Sequence, residues 1–251
     1  AMIHWAPIML YVERKVCALM QDRPGPNRVG PIGLMQPIAD FVKLLLKENQ
    51  IPSQVNKFLY LLGPFLTLLP ASLAVAILPI GDYAEILGRK VTLQIADIDV
   101  GVLYVLAIGS LGIYGILFGG WASNNKYSLI GAMRAASQII SYELPLGLAA
   151  AGVILVFGTF SLREMVLQQN GLLFGFLPNW GFFYQPLAFL IFFVSAFAET
   201  NRLPFDLPET EAELVAGFHT EYAAMNFATY FMAEYMNMAT ISGLMPAFFF
   251  G

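Results

Sequence analysis

The segment AETNRLPFDLPETEAELVAGFHTEY, residues 198–222, concentrates acidic side chains between two apolar runs. Carboxylates that lie close together raise one another's pKa values, so such a group shares protons and is chemically suited to proton relay. Acids at the start of a helix also occur because they complement the helix dipole and face water, which is the simpler interpretation. The segment holds six of the chain's 17 acidic residues: Glu199, Asp206, Glu209, Glu211, Glu213 and Glu221.

A proline in this segment predicts where a helix begins. Pro208 can occupy the first position of a helix, because that position needs no backbone N–H donor. Glu211 would then lie in the first turns. Asp206, Glu209 and Glu213 are spaced i, i+3 and i+7, so in a helix they would share one face.

Two further acids interrupt apolar runs and are candidate functional residues. Glu143 lies within SQIISYELPLG and Glu234 within FMAEYMN. An ionised carboxylate in hydrocarbon costs at least ~2.5–3.5 kcal/mol, so each side chain should face the protein interior or water. Each is either a neutral acid hydrogen-bonded between helices or part of a proton path. Arg134, nine residues before Glu143, is a candidate partner for another acid.

The segment 21–48, QDRPGPNRVGPIGLMQPIADFVKLLLKE, combines turn residues with basic residues. Its prolines and glycines predict a fixed, non-helical path that holds Arg23 and Arg28 in place. A positively charged loop with ordinary turn chemistry is the simpler interpretation. Asp40 and Lys43 follow on a predicted helix, where they either pair at i, i+3 or line a pocket. The segment lacks the GxGxxG spacing of a dinucleotide site.

The composition excludes a soluble domain. The chain is 58% hydrophobic and 12% charged, whereas soluble domains are usually about 45–50% apolar and about 25% charged. This predicts a polytopic membrane protein. The net charge of -4 gives no basic surface for nucleic acid. With only Cys17, His4 and His219, the chain is not expected to form a disulfide or to hold a haem, zinc or iron–sulfur centre unaided.

Apolar runs predict an all-α membrane helix bundle with six transmembrane spans. Because no boundary or internal repeat interrupts the pattern, residues 1–251 are expected to form a single membrane-embedded domain. An amphipathic surface helix is predicted at 36–47, with apolar residues on one stripe. The six predicted spans are 1–20, 57–80, 100–121, 129–160, 181–198 and 222–250.

Basic residues predict the orientation in the membrane. Residues 14–57 hold seven of the 13 Lys and Arg residues, and the third and fifth connections add Lys126 and Arg202. The second and fourth connections hold only Arg89, Lys90 and Arg163. By the positive-inside rule, the odd-numbered connections face the cytoplasm, or the matrix in a mitochondrion.

Five segments together resemble the heel-subunit family of respiratory complex I, which is the H-type subunit of bacterial NADH-quinone oxidoreductases. The mitochondrial member is NADH dehydrogenase subunit one. The resemblance extends over nearly the whole chain. It is carried by ERK at 13–15, GPNRVGPIGLMQPIADFVKLLLKE at 25–48, GWASNNKYSLIGAMRAASQIISYE at 120–143, AETNRLPFDLPETEAELVAGFHTEY at 198–222 and FMAEYMN at 231–237. The family has eight transmembrane helices, so the start of the first and the last two are expected to be absent from this chain.

The resemblance implies a role for each candidate residue. In the family, this subunit forms much of the chamber that admits ubiquinone or menaquinone, and a chain of acids leads from the chamber toward the antiporter-like subunits. The positions matching the quinone chamber and its entry are Glu13, Arg14, Arg23, Arg28, Asp40, Arg202 and Asp206. The positions matching the proton relay are Glu143, Glu199, Glu209, Glu211, Glu213, Glu221 and Glu234, with Arg134 beside them.

The resemblance also implies the setting of the protein. It predicts a subunit of a proton-translocating NADH:quinone oxidoreductase that binds quinone as a substrate and itself holds no metal, flavin or iron–sulfur cluster. Its partners would be the iron–sulfur and quinone-site subunits of the peripheral arm, small membrane subunits, antiporter-like subunits and lipid, and no nucleic acid. A bacterial plasma membrane is preferred over a mitochondrial inner membrane.

Three other functions compete with this interpretation. Membrane-bound hydrogenases and formate hydrogenlyases carry a related heel subunit without a quinone tunnel. A secondary proton-coupled transporter could place Glu143 and Glu234 on its transport path, although the chain lacks the repeats and broken helix pairs of that class. A passive anchor would use its acids only to bind a partner, so that neutralising single Glu residues would affect assembly alone.

Overall fold

The computed structural model describes residues 5–81, 83–86, 89–92, 94–173 and 177–251. Most of them are helical, and two antiparallel hairpins, β1–β2 and β3–β4, lie in the connections. The helices are α1 (Trp5–Met20), α2 (Gln36–Leu46), α3 (Lys57–Val75), α4 (Gly101–Ala122), α5 (Lys126–Phe157), α6 (Leu162–Gln168), α7 (Gly181–Tyr184), α8 (Pro186–Glu199), α9 (Glu211–Leu214) and α10 (Ala224–Phe249). The strands are β1 (Tyr83–Ile86), β2 (Arg89–Thr92), β3 (Leu172–Leu173) and β4 (Leu177–Pro178).

Side-chain caps fix the boundaries of the long helices. Asn56 precedes α3, and its Oδ1 accepts a hydrogen bond from Phe58 N at 3.2 Å. Asn125 precedes α5 and accepts one from Tyr127 N at 2.9 Å. These amides satisfy N–H groups that have no partner within the first turn of a helix. At the other end of α5, Gly158 adopts a left-handed conformation with φ 67°, which ends the helix without a steric cost.

The all-α membrane fold predicted from the sequence is confirmed. Each of the six predicted spans contains a helix, and the predicted amphipathic helix 36–47 appears as α2, which ends at Leu46. Among the described residues, three helices, α3, α4 and α5, are long and apolar enough to cross a membrane. The count of six crossings therefore stays a prediction. The hydrophobic pattern did not predict the two hairpins, because their strands are at most four residues long.

The first predicted span is described only in part, and the fifth is divided into two helices. The first four residues of the first span, His4 among them, lie outside the described residues. The fifth predicted span divides into α7 and α8 at Gln185, whose φ of -137° and ψ of 61° are not helical. The break falls there because the residue before a proline, here Pro186, is pushed away from helical geometry.

Glycines bring α3 and α4 into close contact. A Cβ atom added at Gly115 would lie 2.6 Å from Thr67 N, and one added at Gly63 would lie 2.9 Å from Gly119 Cα. Such distances are too short for any side chain, so the two backbones approach each other as small residues allow in membrane bundles. The helix α10 packs against α3 and touches α4 through the hydroxyl of Tyr230, which donates to the carbonyl oxygen of Gly115 at 3.3 Å.

The first, third and fifth connections lie at the same end of the bundle. Asn125, between α4 and α5, donates a hydrogen bond to Glu221 at 2.6 Å. Asn226, at the start of α10, donates one to Asn49 of the first connection at 3.2 Å. At the opposite end, Val102 N donates to the carbonyl oxygen of Phe160 at 3.1 Å. The connections predicted to share one side of the membrane are therefore grouped in space.

Candidate functional site

Arg202, in the connection after α8, joins two acids from distant helices. Its Nη1 donates to Oε1 of Glu13 on α1 at 2.8 Å. Its Nε lies 3.1 Å from Oε1 of Glu234 on α10. The hydroxyl of Tyr235 donates to the other oxygen of Glu13 at 2.7 Å, and the guanidinium lies 4.9 Å from the centre of the Tyr235 ring. One cation therefore balances two carboxylates at the junction of α1, α10 and the acidic connection.

The surroundings of Arg202 keep it charged. Burial lowers the pKa of the guanidinium, but the carboxylates of Glu234 and Glu13 outweigh that effect and raise it above its ordinary value. Nη2 of Arg202 is buried and makes no hydrogen bond to the part of the chain that the structure describes. Because a buried donor without an acceptor is costly, this atom has the capacity to bind water or a ligand oxygen.

A second ion pair connects α1 with α2. Arg14 Nη1 donates to Asp40 Oδ2, and Gln36 Nε2 donates to the other oxygen of Asp40 at 3.1 Å. Asp40 thus pairs with α1 and not with Lys43 on its own helix, which was one of the two predicted alternatives. Helical register alone could not decide between them, because the choice depends on the approach of another helix.

An apolar cavity of about 430 Å³ lies between α1, α2 and α10, beside this ion pair. Arg14, Asp40 and Tyr235 supply polar groups to a wall that is otherwise mostly aliphatic and aromatic, including Leu10 and Phe231. This combination of an apolar body with few polar groups is typical of a small-molecule site. The remaining lining residues are Ala6, Pro7, Pro37, Ile38, Phe41, Leu44, Phe227, Ala228 and Met232.

The two predicted arginines of the first connection lie away from this cavity. Arg23 and Arg28 are exposed, and neither lines the cavity. Neither makes an ion pair with a described residue. Their predicted role at the quinone entry therefore has no contact within the described part of this chain to support it, and it would have to be exercised toward a partner subunit.

Four of the predicted relay acids lie along two small neighbouring cavities inside the bundle. A cavity of about 60 Å³ is lined by Glu199, Glu209 and Glu234. A cavity of about 20 Å³ is lined by Glu143 and again by Glu199. A cavity needs roughly 10–15 Å³ to hold one water molecule, provided that polar partners are present. Both cavities meet these requirements, so the acids can be connected through water.

Glu143 and Glu234 have different partners at the two ends of this path. The hydroxyl of Ser110 on α4 donates to Glu143 Oε1. At the other end, Glu234 is paired with Arg202 and also interacts electrostatically with Asp206 and Glu209. The polar neighbours predicted for Glu143 and Glu234 are thus present, and Glu234 lies between the other cavity acids and Arg202.

His219 lies beside Glu209 in the larger cavity. Its Nδ1 is 3.7 Å from Glu209 Oε1, and its side chain is 8% exposed. Burial lowers the pKa of His219 to about 4, so the ring is neutral at pH 7. Nδ1 is buried without a hydrogen bond to the described residues. The neutral ring therefore forms a polar part of the cavity wall.

Two predicted relay acids lie outside both small cavities. Glu213 is 59% exposed and pairs with Arg134 at 2.6 Å, which identifies the acid that the sequence left open as the partner of Arg134. Glu221 accepts a hydrogen bond from Asn125 at 2.6 Å. Neither acid lines the path from Glu143 to Glu234.

The prediction that Pro208 begins a helix was wrong. Pro208 lies in a turn, and the short helix α9 begins at Glu211, whose side chain lies outside the described parts of the structure. The hydroxyl of Thr210 donates to the carbonyl oxygen of Asp206 at 2.9 Å. This local bond and the extended ψ of 99° at Thr210 stop the helix from reaching Pro208.

As a consequence, Asp206, Glu209 and Glu213 do not share a helical face. Glu209 points into the interior cavity, whereas Glu213 is on the surface. The acidic segment folds back on itself instead, so closely that a Cβ atom added at Gly217 would collide with the carbonyl oxygen of Pro208. The local spacing of the acids does not predict this close contact between Gly217 and Pro208.

Sequence reasoning missed four polar residues at these sites. Tyr235 binds Glu13, Ser110 binds Glu143, and His219 and Asn237 line the cavities. A usable signal existed for two of them: Ser110 is a polar residue in an apolar run, and Asn237 lies three residues after Glu234 and thus on the same helix face. Among the described residues, no group of three or more His, Cys, Asp or Glu side chains is arranged to hold a metal ion.

The chain is similar to known proteins over nearly its whole length. Residues 1–251 match the NADH dehydrogenase family. An H-type subunit of the NADH-quinone oxidoreductase of Cytophaga hutchinsonii is 53% identical over 241 residues, which cover 96% of this chain and 69% of the relative. The corresponding protein of Solibacter usitatus is 53% identical over 241 residues, covering 96% of this chain and 61% of the relative. That of Thermomicrobium roseum is 51% identical over 246 residues, covering 97% and 72%. This chain therefore belongs to the NADH dehydrogenase family, as a membrane subunit of the H type of NADH-quinone oxidoreductase.

Proposed function

We propose that this chain forms the membrane part of a quinone chamber in complex I and couples quinone reduction to proton translocation. The observation that carries the proposal is the continuity of three features. The apolar cavity between α1, α2 and α10 includes Tyr235, Tyr235 binds the Glu13 carboxylate held by Arg202, and Arg202 pairs with Glu234 at one end of the interior acid path.

The chamber proposal rests on the shape and polarity of the 430 Å³ cavity. A quinone has an apolar isoprenoid tail and a head with two carbonyl oxygens. The apolar wall suits the tail, and Arg14 supplies hydrogen-bond donors at the wall, beside the hydroxyl of Tyr235 whose proton is donated to Glu13. Arg202 Nη2 is a further buried donor behind Tyr235. The substrate would be ubiquinone or menaquinone, and subunits of the peripheral arm would close the chamber and supply the electrons.

The coupling proposal rests on the electrostatic interactions between Glu234 and the charged groups around it. Glu13, Asp206 and Glu209 all act on the charge of Glu234, and Arg202 acts in the opposite sense. When titratable groups interact this closely, a change of charge on one alters the proton occupancy of the others. Proton uptake or a charge shift during quinone reduction would thus change the occupancy of Glu234, and water in the two small cavities would pass the change to Glu199 and Glu143.

The proposed setting is a bacterial plasma membrane, since the relatives described above are bacterial proteins. The end of the bundle that holds the first, third and fifth connections would face the cytoplasm, where the peripheral arm docks. Antiporter-like and small membrane subunits would receive the charge change from the end of the path near Glu143.

A Glu143→Gln variant in the intact complex tests the coupling. Glutamine keeps the shape and accepts the Ser110 hydrogen bond, but it cannot take up a proton. We expect the complex to assemble and to oxidise NADH with an artificial electron acceptor, while NADH-driven proton pumping falls at least tenfold. Glu85→Gln is the control, because Glu85 is an exposed acid on the hairpin at the opposite end of the bundle.

The same preparation separates the alternative functions. NADH-driven quinone reduction that a quinone-site inhibitor blocks supports the complex I function, and hydrogen turnover without quinone reduction would contradict it. If Glu143→Gln assembles and pumps like the parent, the relay is refuted. If Glu143→Gln lowers the amount of assembled complex, but the complex that does assemble pumps protons like the parent, the acid serves only to bind a partner.

A further inference from the structure

The two interior cavities meet at three residues from three helices. Gly109 on α4, Glu199 on α8 and Asn237 on α10 line both the 60 Å³ and the 20 Å³ cavity. Glu143 lines only the smaller cavity, and Glu209 and Glu234 line only the larger one. A proton that passes between the cavities must therefore pass this junction of Gly109, Glu199 and Asn237.

Two polar groups at the junction have no protein partner among the described residues. Oε2 of Glu199 is buried and makes no hydrogen bond there. The half-buried side-chain amide of Asn237 also makes no hydrogen bond to the described part of the chain. Buried polar groups in folded proteins are almost always satisfied by protein or by ordered water. Since both groups border cavities large enough for water, water is the available partner.

Gly109 leaves the space that this water needs. A Cβ atom added at Gly109 would lie 3.7 Å from Glu199 Oε1, which is ordinary van der Waals contact. Any longer side chain there would extend into the junction. Gly112, one turn further along α4, borders the larger cavity and has no described atom within 4 Å of an added Cβ.

We propose that Asn237 is a positioning residue, whose amide holds water against Glu199 and so joins the two cavities, and that Gly109 keeps this junction open. The chemistry suits the task, because a carboxamide both donates and accepts hydrogen bonds but does not itself take up a proton at physiological pH. It orders water without becoming a competing proton site. This inference rests on the proposed function, and it identifies the residues that connect the two cavities of the proton path.

The test uses the intact complex with Asn237→Leu, which has a similar volume and no hydrogen-bonding group, and Asn237→Ser, which keeps a hydroxyl and leaves more room for water. We expect Asn237→Leu to lower NADH-driven proton pumping at least fivefold with unchanged affinity for a quinone-site inhibitor. Asn237→Ser is expected to recover at least half of the parent rate. Equal loss in both variants would indicate a packing role and overturn the proposal, as would normal pumping by Asn237→Leu.

A second pair of variants keeps the test decisive if Asn237→Leu does not assemble. Gly109→Val fills the junction, and Ala107→Val adds a branched side chain to the exposed face of the same helix turn. We expect Gly109→Val to lose pumping and Ala107→Val to retain it; equal activity would refute the junction. The proposed function fails separately, through normal pumping by Glu143→Gln. If Glu143→Gln loses pumping while the Asn237 and Gly109 variants pump normally, the proposed junction is refuted and the proposed function stands.

Discussion

Arg202 explains why acids so far apart in sequence belong to one site. It contacts Glu13 and Glu234 at 2.8 Å and 3.1 Å. Removing one partner from a desolvated charge pair leaves the other uncompensated, which in buried pairs costs about 3–5 kcal/mol. Arg202 is 24% exposed, so the cost here is smaller. The arrangement nevertheless makes each charge depend on the other two, which is the property that coupling requires.

At the residue scale, the sequence identified the acids but not their distribution. Glu143 and Glu234 were predictable, because a carboxylate in an apolar run must find polar neighbours. The division of the acidic segment into the interior Glu209 and the surface Glu213 was not predictable. It depends on the contact between Gly217 and Pro208, which local spacing does not encode.

His219 leads to a prediction about acid stability. Its pKa is about 4 in the folded protein because the ring is buried, against an ordinary value near 6.5. Between these values the unfolded chain binds a proton that the folded chain excludes, so folding stability falls as the pH drops from about 6.5 to about 4. We expect His219 to account for a loss on the order of 2 kcal/mol between pH 7 and pH 5.

The measurement compares thermal unfolding of the purified complex at pH 7 and pH 5 for the parent and for His219→Gln. Glutamine is neutral throughout, so the pH-dependent loss should be smaller in the variant. Thermal curves with the same pH dependence would show that His219 is already protonated, or already exposed, in the folded protein.

At the scale of elements, helix boundaries were predictable and helix contacts were not. Apolar length alone predicted spans at 57–80 and 129–160, which end within five residues of the observed ends of α3 and α5. The amphipathic stripe of α2 indicated that one face is covered, but not that α1 and α10 enclose a cavity with it. The inter-helix distances depend on packing across long sequence separations, which periodicity does not report.

The cavity between α1, α2 and α10 gives a prediction at this scale. Leu10→Trp adds bulk inside the cavity, whereas Ile8→Trp adds the same bulk on an exposed face of α1, where Ile8 is 53% exposed. We expect Leu10→Trp to raise the KM for a long-tailed quinone at least fivefold and Ile8→Trp to leave it unchanged. Steady-state NADH:quinone reduction measures both, and an unchanged KM in Leu10→Trp would place the quinone elsewhere.

At the scale of the whole molecule, the grouping of the odd-numbered connections predicts which residues label from which side. In a Cys17→Ser background, Lys126→Cys lies in the third connection and Asn170→Cys in the fourth, and both positions are exposed. We expect a membrane-impermeant maleimide to label Lys126→Cys in inverted vesicles and Asn170→Cys in right-side-out vesicles. The reverse pattern would invert the proposed orientation and move the chamber to the other face of the membrane.

The contacts of Glu13 also constrain how the protein is made. Glu13 binds Arg202, 189 residues later, and Tyr235, 222 residues later. At about 5–20 residues per second of synthesis, α1 is made roughly 10–45 seconds before α10. During that interval the Glu13 carboxylate lacks both partners. The charge on α1 therefore has to be accommodated without these two partners until the chain has been made as far as α10.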